Sequence, residues 1–331
     1  MTRNIVVNGR FLSRRVTGVE RYGREIVQLF RNNYQVEKTR ANGLTGHLWE
    51  QFVLPARLRS ESVLWSAANT GPLMVRRQAL TIHDLSPLEH PEWFRKSFAL
   101  WYRLFLPMLA GRVQVIFTPS EYVKQKIIKR FGVRDVIVTP NAVATSRFHP
   151  DAVQSTYEFP KQYIFFVGSL QPRKNLQALL SAWRVIKKEY PDLWLVIAGD
   201  VGTVFGKINF PVDERVRILG YVTDEDLPGL YSKAAMFILP SFDEGFGLPA
   251  IEAMSCGTPV VASNGGALPE TIGDAGLIFD LSEPDGLANA MRECLSDNKI
   301  RLLLKEKGFA RVKNFSWQNT AELVWNTLNE I

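Results

Sequence analysis

Two carboxylates separated by one helical approach are the first residues here whose types and spacing could do chemistry. Glu244 and Glu252 enclose seven residues in the run Pro240-Ser-Phe-Asp-Glu-Gly-Phe-Gly-Leu-Pro-Ala-Ile-Glu. That run reads as a strand end, a glycine-containing turn and a helix start. Gly245 and Gly247 leave room for a ligand beside the backbone, and Pro249 suits a first helical turn. The turn Gly245, Phe246, Gly247, Leu248 therefore offers free N–H groups and a positive dipole end, which suit phosphate. Glu252 follows about one turn later on a helix that is otherwise apolar (Leu248, Ile251, Met254). A carboxylate there is costly unless it binds something, and vicinal hydroxyls are natural partners. The plainer alternative is a pair of capping or surface glutamates around a helix start.

A second run, Tyr163-Ile-Phe-Phe-Val-Gly-Ser-Leu-Gln-Pro-Arg-Lys-Asn-Leu, is a strand, then Gly168, then adjacent Arg173 and Lys174 at the opening of a helix. An ordinary basic first turn is the bland reading. Cations near a helix start oppose the dipole, however, and that favours a bound anion.

With both runs in view, the chain resembles the retaining GT-B glycosyltransferases of family 4 (glycosyl transferases group 1), of the polysaccharide and lipopolysaccharide mannosyltransferase kind. Glu244 and Glu252 look like the E-x7-E motif of that family, and Cys256-Gly-Thr-Pro-Val-Val-Ala-Ser and Gly265-Gly-Ala-Leu-Pro-Glu also resemble it. The stretch from Gly168 to Lys174 resembles its G-x-x-x-x-R/K-K segment. The resemblance implies that Glu244 contacts the transferred sugar, that Glu252 holds the ribose, and that Arg173 and Lys174 grip the donor diphosphate. Two fixed cations aimed at a departing diphosphate can stabilise the transition state by several kcal/mol without a metal. The loops at Ala198-Gly-Asp200 and at Tyr221 and Val222 would flank the nucleobase.

Positions in the first half carry the resemblance more loosely. Gly18 precedes an amphipathic helix and resembles the glycine loop beside the donor phosphates, without the commoner second glycine. His83 ends a strand that would point at the crevice, and the resemblance places it near the transferred sugar, as a positioning group rather than a base. Asp84 receives no clear role. Arg10, Arg14, Arg15, Arg21 and Arg24 are candidates for meeting an anionic acceptor, and residues 39–49 read as a mobile acceptor loop. The aromatic and cationic run from Phe94 to Leu109 reads first as the buried face of a domain helix, with membrane contact as the alternative.

The elements that must position these groups follow from alternation. Short apolar runs at 5–8, 63–66, 80–83, 115–119 and 136–139, then at 163–167, 194–198, 216–219, 236–239, 260–262 and 277–279, alternate with amphipathic stretches. This pattern predicts repeated βα units and parallel sheets. The 331 residues suffice for two domains. The expected architecture is α/β, GT-B: two Rossmann-like doubly wound parallel-sheet domains facing a central cleft. Residues 1–155 form an N-terminal acceptor-binding domain, 156–312 a C-terminal nucleotide-sugar-binding domain, and 313–331 a terminal helix packing back toward the N-terminal domain. Residues 141–160 read as the linker.

Composition narrows the class further. The net charge of +7 is the sum of +13 over residues 1–150 (23 Lys+Arg, 10 Asp+Glu) and −6 over the rest (17 and 23). A basic half suggests an anionic partner, either a lipid-linked or acidic saccharide or a membrane surface. No nucleic-acid motif accompanies the charge. Cys256 and Cys294 form neither a disulfide framework nor a metal site. No G-x-G-x-x-G follows the first strand, which disfavours a dinucleotide oxidoreductase. No leader or spanning stretch is evident, so the expectation is a cytoplasmic protein with peripheral contact at the inner face of the membrane.

The function these readings imply is that of a retaining, metal-independent hexosyltransferase. It would move a sugar from GDP-mannose or another nucleotide diphosphate hexose to a glycan or lipid-linked acceptor in cell-surface polysaccharide biosynthesis, with no cofactor. The alternatives are a sugar-nucleotide epimerase or hydrolase of the same fold, and a non-catalytic two-lobed sugar-binding protein.

Overall fold

The computed structural model describes residues 3–14, 16–31, 33–152, 156–157, 162–199 and 213–331. Arg15 and Asp200 lie outside the described residues, as does part of the segment read as a linker. The chain forms two compact units, Met1–Asn141 with Ser316–Ile331 and Ala142–Phe315.

In the first unit the order is β1 (Ile5–Asn8), α1 (Gly18–Leu29), β2 (Tyr34–Glu37), α2 (Gly43–Leu48), α3 (Leu54–Arg57), β3 (Val63–Ser66), β4 (Gln78–Thr81), α4 (Ser86–Glu89), α5 (Lys96–Ala110), β5 (Val115–Thr118), α6 (Glu121–Phe131) and β6 (Val136–Val138). The strands form one parallel sheet ordered β2-β1-β3-β4-β5-β6. The order reverses between β1 and β3, and ligands of open α/β sheets bind outside the strand C-termini at such a point.

The second unit runs β7 (Tyr163–Val167), α7 (Leu176–Glu189), β8 (Trp194–Ala198), β9 (Val216–Gly220), α8 (Leu227–Ser232), β10 (Met236–Leu239), α9 (Leu248–Ser255), β11 (Val260–Ser263), α10 (Leu268–Ile272), β12 (Gly276–Phe279), α11 (Gly286–Ser296) and α12 (Asn298–Val312). Its parallel sheet is ordered β12-β11-β10-β7-β8-β9, so the switch lies between β7 and β10. Strand periodicity divides β7 between two cores. Tyr163 and Phe165 pack with Tyr231 and Phe237 on one face, while Ile164 and Phe166 pack with Leu179, Trp183 and Leu195 on the other. A sheet covered on both faces requires continuous apolar strands, and β7 and β10 have them.

The last helix, α13 (Trp317–Glu330), belongs to the first unit. Trp317 meets Tyr22 edge-on with ring centroids 6.0 Å apart, and Trp325 meets Phe30 at 5.0 Å. These are the contacts that its helical apolar spacing requires.

Several expectations change. The polar sequence Tyr34-Gln-Val-Glu is a strand, β2, at the sheet edge where one face is wet. The strand expected at 80–83 begins at Gln78, fully buried, whose amide accepts from Ser66 (3.2 Å) and donates to Pro72 O (3.0 Å). The stretch expected to be a mobile loop holds α2, which continues through a π turn at Trp49–Val53 into α3. The linker reading also changes at its start, because Val143 and Phe148 belong to the core of the second unit and Phe148 O accepts from Ser255 (2.6 Å).

The π turn buries Glu50, which accepts from Arg10 (2.9 Å), Asn8 (2.8 Å) and Thr70 (3.0 Å). Arg10 is 3% exposed and Glu50 1%, so each neutralises a charge that water cannot reach. Glu50→Ala is therefore expected to destabilise the protein by about 3–5 kcal/mol in urea unfolding, because it strands Arg10. Replacing both residues by apolar ones should recover most of that loss.

Candidate functional site

In the second unit the ends of β7 and β10 flank the switch point, and the two sequence runs of interest leave from them. Gly168 follows β7 and its N–H donates to Ala198 O (3.1 Å). Gly199 has φ +147°, and a Cβ there would lie 1.9 Å from Gly168 O, so the two strand ends meet backbone to backbone. The chain then turns through a short 3-10 segment, Pro172–Lys174, and enters α7 through Asn175, whose φ is +50°. The Lys174 stem folds back over Gly168, where a Cβ would stand 3.4 Å from its Cε.

Beyond β10, Ser241, Asp243 and Glu244 are all buried. Lys174 Nζ lies 2.5 Å from Glu244 Oε1 and Arg173 Nη1 lies 3.2 Å from Oε2. Ser241 Oγ donates to Oε1 (2.7 Å), and Arg173 also donates to Asp243 O (3.2 Å). The backbone is tied as well: Phe242 N–H donates to Arg173 O and Ala267 N–H to Glu244 O, both at 2.8 Å. Gly266, at φ +65°, passes so close that a Cβ would sit 2.4 Å from Glu244 N and O. Burial alone would raise the Glu244 pKa. The charges of Lys174 and then Arg173, with the hydrogen bonds of Lys174 and Ser241, outweigh it and hold the carboxyl at about 2. The three side chains thus form one ionised cluster, whereas the sequence reading treated carboxylate and cations as separate groups.

Gly247, at φ +96°, opens α9, and a Cβ there would meet Leu268 at 2.5 Å. Within that helix Glu252 is buried and accepts from Tyr231 Oη at 3.1 Å. Several expected contact residues are core groups: Val222, Phe246 and Leu248 are buried, and Phe246 stands edge-on to Phe315 at 5.2 Å. Their side chains pack inside the second unit, while Tyr221 is half exposed. Ser241 and Tyr231 were missed from sequence. The spacing Ser241-x-x-Glu244 is a readable capping-type signal, but nothing local marks Tyr231 as the partner of a carboxylate 21 residues on.

His83 and Gly18 belong to the first unit. His83 follows β4; its N–H donor is met by Asn69 Oδ1 (2.7 Å), and Nε2 lies 2.9 Å from Ala67 O. A carbonyl partner makes Nε2 the protonated nitrogen and leaves the lone pair on Nδ1. Burial lowers the pKa of this ring against the opposing pulls of Ala67, Asp84 and Glu20, which keeps it neutral. Tyr22 packs edge-on against it at 5.0 Å. Gly18 is the first residue of α1, capped by Thr17 and Glu20, and a Cβ there would touch nothing within 4 Å. The space beside it is open.

The basic residues expected to meet an acceptor are mostly engaged. Arg10 is buried on Glu50, Arg14 lies 3.9 Å from Glu20, and Arg24 donates to Leu12 O (2.9 Å). His47 accepts from Arg10 (3.0 Å) and packs on Trp101 at 4.3 Å. Burial, with the charges of Arg10 and Arg14, lowers its pKa to about 4. Among the described residues no cluster of side chains could hold a metal ion.

Comparison with known proteins places this geometry in context. The family described as Glycosyl transferases group 1 matches residues 153–311, and Glycosyltransferase Family 4 matches residues 58–147. The chain is 36% identical over 266 residues to O-antigen chain mannosyltransferase B of Escherichia coli, which covers 75% of this chain and 69% of that protein. It is 30% identical over 260 residues to the serotype-specific mannosyltransferase WbdA of Escherichia coli, spanning 73% of this chain but 32% of the relative. Among solved structures, sucrose-phosphate synthase from Thermosynechococcus elongatus superposes with a TM-score of 0.77 at 18% identity over 98% of both chains. Anabaena HepE in complex with UDP-glucose gives 0.76 at 18% identity over 99% of both. These similarities, with two doubly wound parallel sheets, show that the chain is a glycosyltransferase of the GT-B fold and belongs to the glycosyl transferases group 1, family 4.

Proposed function

We propose that the protein is a retaining hexosyltransferase that uses a nucleotide diphosphate sugar, without a metal, to extend a cell-surface polysaccharide. The observation that carries this reading is the buried Lys174–Glu244–Arg173 cluster at the switch point of the second sheet. It brings two cations to the place where open α/β sheets bind phosphates. The names of the relatives, O-antigen chain and serotype-specific mannosyltransferases, support a hexose donor such as GDP-mannose and a glycan or lipid-linked acceptor. The UDP-glucose complex of Anabaena HepE supports a nucleotide-sugar donor in general. The acceptor would be met on the cytoplasmic face of the membrane, with the protein held there peripherally. No described helix is long and apolar enough to cross a membrane.

In the proposed reaction the bond between the anomeric carbon and the diphosphate oxygen breaks, and a bond from that carbon to an acceptor oxygen forms on the same face. The acceptor proton passes to the departing phosphate. Arg173 and Lys174 stabilise the charge that grows on the diphosphate. Glu244 accepts hydrogen bonds from the sugar hydroxyls, and Glu252, oriented by Tyr231, accepts from the ribose. Backbone N–H groups from Gly245 to Leu248 and the open approach at Gly18 serve the phosphates, while Gly168, Tyr221 and Val222 border the nucleotide. His83, kept neutral by burial, is a weak proton acceptor and positions a sugar hydroxyl through Nδ1.

Turnover of nucleotide diphosphate hexoses with and without chelator tests the reading, with the product anomer assigned by proton NMR. Chelator should leave the rate unchanged, and the product should keep the donor's anomeric configuration. Arg173→Ala with Lys174→Met should lower kcat by about 10²–10³. An inverted product, or a rate abolished by chelator, contradicts the proposal.

The cluster also sets an acid limit on stability. Glu244 has its pKa lowered from 4.5 to about 2, so the folded state binds fewer protons than the unfolded state between those values. Its contribution, on the order of 3 kcal/mol, is full above pH 4.5 and is lost as pH falls toward 2. Acid unfolding of Glu244→Gln should lack that part of the pH dependence; identical slopes for the two proteins would count against the ionised cluster.

A further inference from the structure

Polar side chains of the first unit gather at the edge of its sheet where the strands end. In a parallel sheet the residues that follow strands share one edge. The segment after β1 carries Arg10 and Arg14, and the segment after β4 carries His83 and Asp84. Two helices reach the same place. On α2, His47 accepts from Arg10 (3.0 Å) and packs on Trp101 of α5 at 4.3 Å. Trp101 meets Tyr102 edge-on at 5.4 Å, and Tyr102 shares a core cluster with Ile82 and Leu85, the residues that flank His83 and Asp84.

Three of these groups keep a bonding capacity that the protein does not use. Tyr102 is 6% exposed, yet among the described residues its hydroxyl has no hydrogen-bond partner. A buried hydroxyl left unpaired is unfavourable, and a ligand that completes it accounts for its place. The charges that act on that hydroxyl are, in order, those of Asp84, Arg14, Glu50 and Arg10, so it faces the polar edge. Burial raises its pKa and keeps it a neutral donor. At His47 the Arg10 N–H occupies Nδ1, and because a guanidinium only donates, the ring proton sits on Nε2. That second N–H has no partner among the described residues, and the side chain is half-buried. Asp84 accepts from Ser86 N–H through Oδ1 (3.1 Å), which leaves Oδ2 as an acceptor. Arg14, also half-buried, acts on Tyr102, His47 and Arg10 alike and so borders all three.

The charge pattern selects the ligand. Arg10 faces Glu50 at 2.9 Å and Arg14 faces Glu20 at 3.9 Å, while Asp84 adds a further carboxylate. A phosphate or carboxylate entering here meets the Asp84 charge. Hydroxyl groups, which both donate and accept, suit a lining of carboxylate, phenol and imidazole N–H. We propose that Asp84, Tyr102, His47 and Arg14 form a subsite for an uncharged pyranose of the acceptor glycan. One sugar hydroxyl donates to Asp84 Oδ2, another bonds the Tyr102 hydroxyl, and His47 Nε2–H donates to a third oxygen. Asp84, which had no role from sequence, thereby becomes an acceptor-binding group. The subsite runs against the expectation that the basic residues of this region serve an anionic acceptor. It rests on the proposed reading that the protein extends a glycan, and it names the class of sugar that the first unit holds.

The test is saturation-transfer NMR on the full chain, without donor, using the methyl glycosides of mannose, glucose, galactose, N-acetylglucosamine and glucuronic acid. At least one neutral glycoside should bind, and the glucuronide should not compete with it. Tyr102→Phe and Asp84→Asn should each raise the dissociation constant of that glycoside roughly tenfold. Asp84→Asn removes the repelling charge and should narrow the preference against the glucuronide. Because the Tyr102 hydroxyl has no protein partner, Tyr102→Phe should leave the melting temperature no lower, whereas loss of a purely structural hydroxyl would lower it. A glucuronide bound as tightly as the neutral sugars, neutral glycosides indifferent to both substitutions, or no glycoside bound at all overturns the subsite. Should Asp84→Asn not fold, Tyr102→Phe decides alone. A nucleoside diphosphate titrated into the unaltered chain separates the two readings. If it binds and the glycosides do not, only the subsite falls; if it too fails to bind, the transfer reading falls with it.

Discussion

A lysine ammonium and a glutamate carboxylate, both buried and 2.5 Å apart at the ends of two neighbouring strands, impose the tightest constraint on the second unit. Neither charge is tolerable there alone, since an uncompensated buried ion costs several kcal/mol. Their approach requires that β7 and β10 be adjacent although about seventy residues of chain separate Lys174 from Glu244. It requires Gly168, over which the lysine stem lies, and Gly266, whose backbone presses against that of Glu244. The doubly wound order satisfies the first demand by bringing the return crossover beside the opening strand. The glycines satisfy the second. Arg173 then brings a second cation to the same carboxylate, and the proposed reading assigns the two cations to a donor diphosphate.

Much of this was legible in sequence because the groups sit on contiguous strand–turn–helix runs. The run from Tyr163 through Lys174 and the run from Pro240 through Glu252 each announce their elements by apolar periodicity and by glycine at the turn. Most strands declared themselves in the same way. The pairing did not. Glu244 was read toward a sugar and Lys174 toward a phosphate, and nothing local shows that the two neutralise each other until the sheet order is known. Tyr231 is the same case: an aromatic on a short helix reads as core, and so it is, but its hydroxyl also reaches Glu252.

The first unit was less legible for a different reason. Its polar residues are used internally, against expectation. Arg10 reads as a surface cation near the first strand, yet a π turn carries Glu50 inward to meet it, with Asn8 and Thr70 filling the remaining bonds. A π turn has no compositional signature of the kind that capping residues or turn glycines provide, and residues 39–49 therefore passed for an irregular loop. The edge strand β2 escaped notice because its exposed face is polar. Gln78 hid the start of β4 because a buried amide that bonds within its own sheet looks like a loop residue from sequence.

Glu244 is the resident counter-ion of the two cations proposed to receive the donor diphosphate. Calorimetric titration of a nucleoside diphosphate, which lacks the transferred hexose that Glu244 would touch, into the unaltered protein and into Glu244→Gln tests it most directly. The neutral amide keeps the shape of the side chain but releases Arg173 and Lys174, so the account expects the variant to bind the nucleotide more tightly. Weaker or unchanged binding by Glu244→Gln would contradict it.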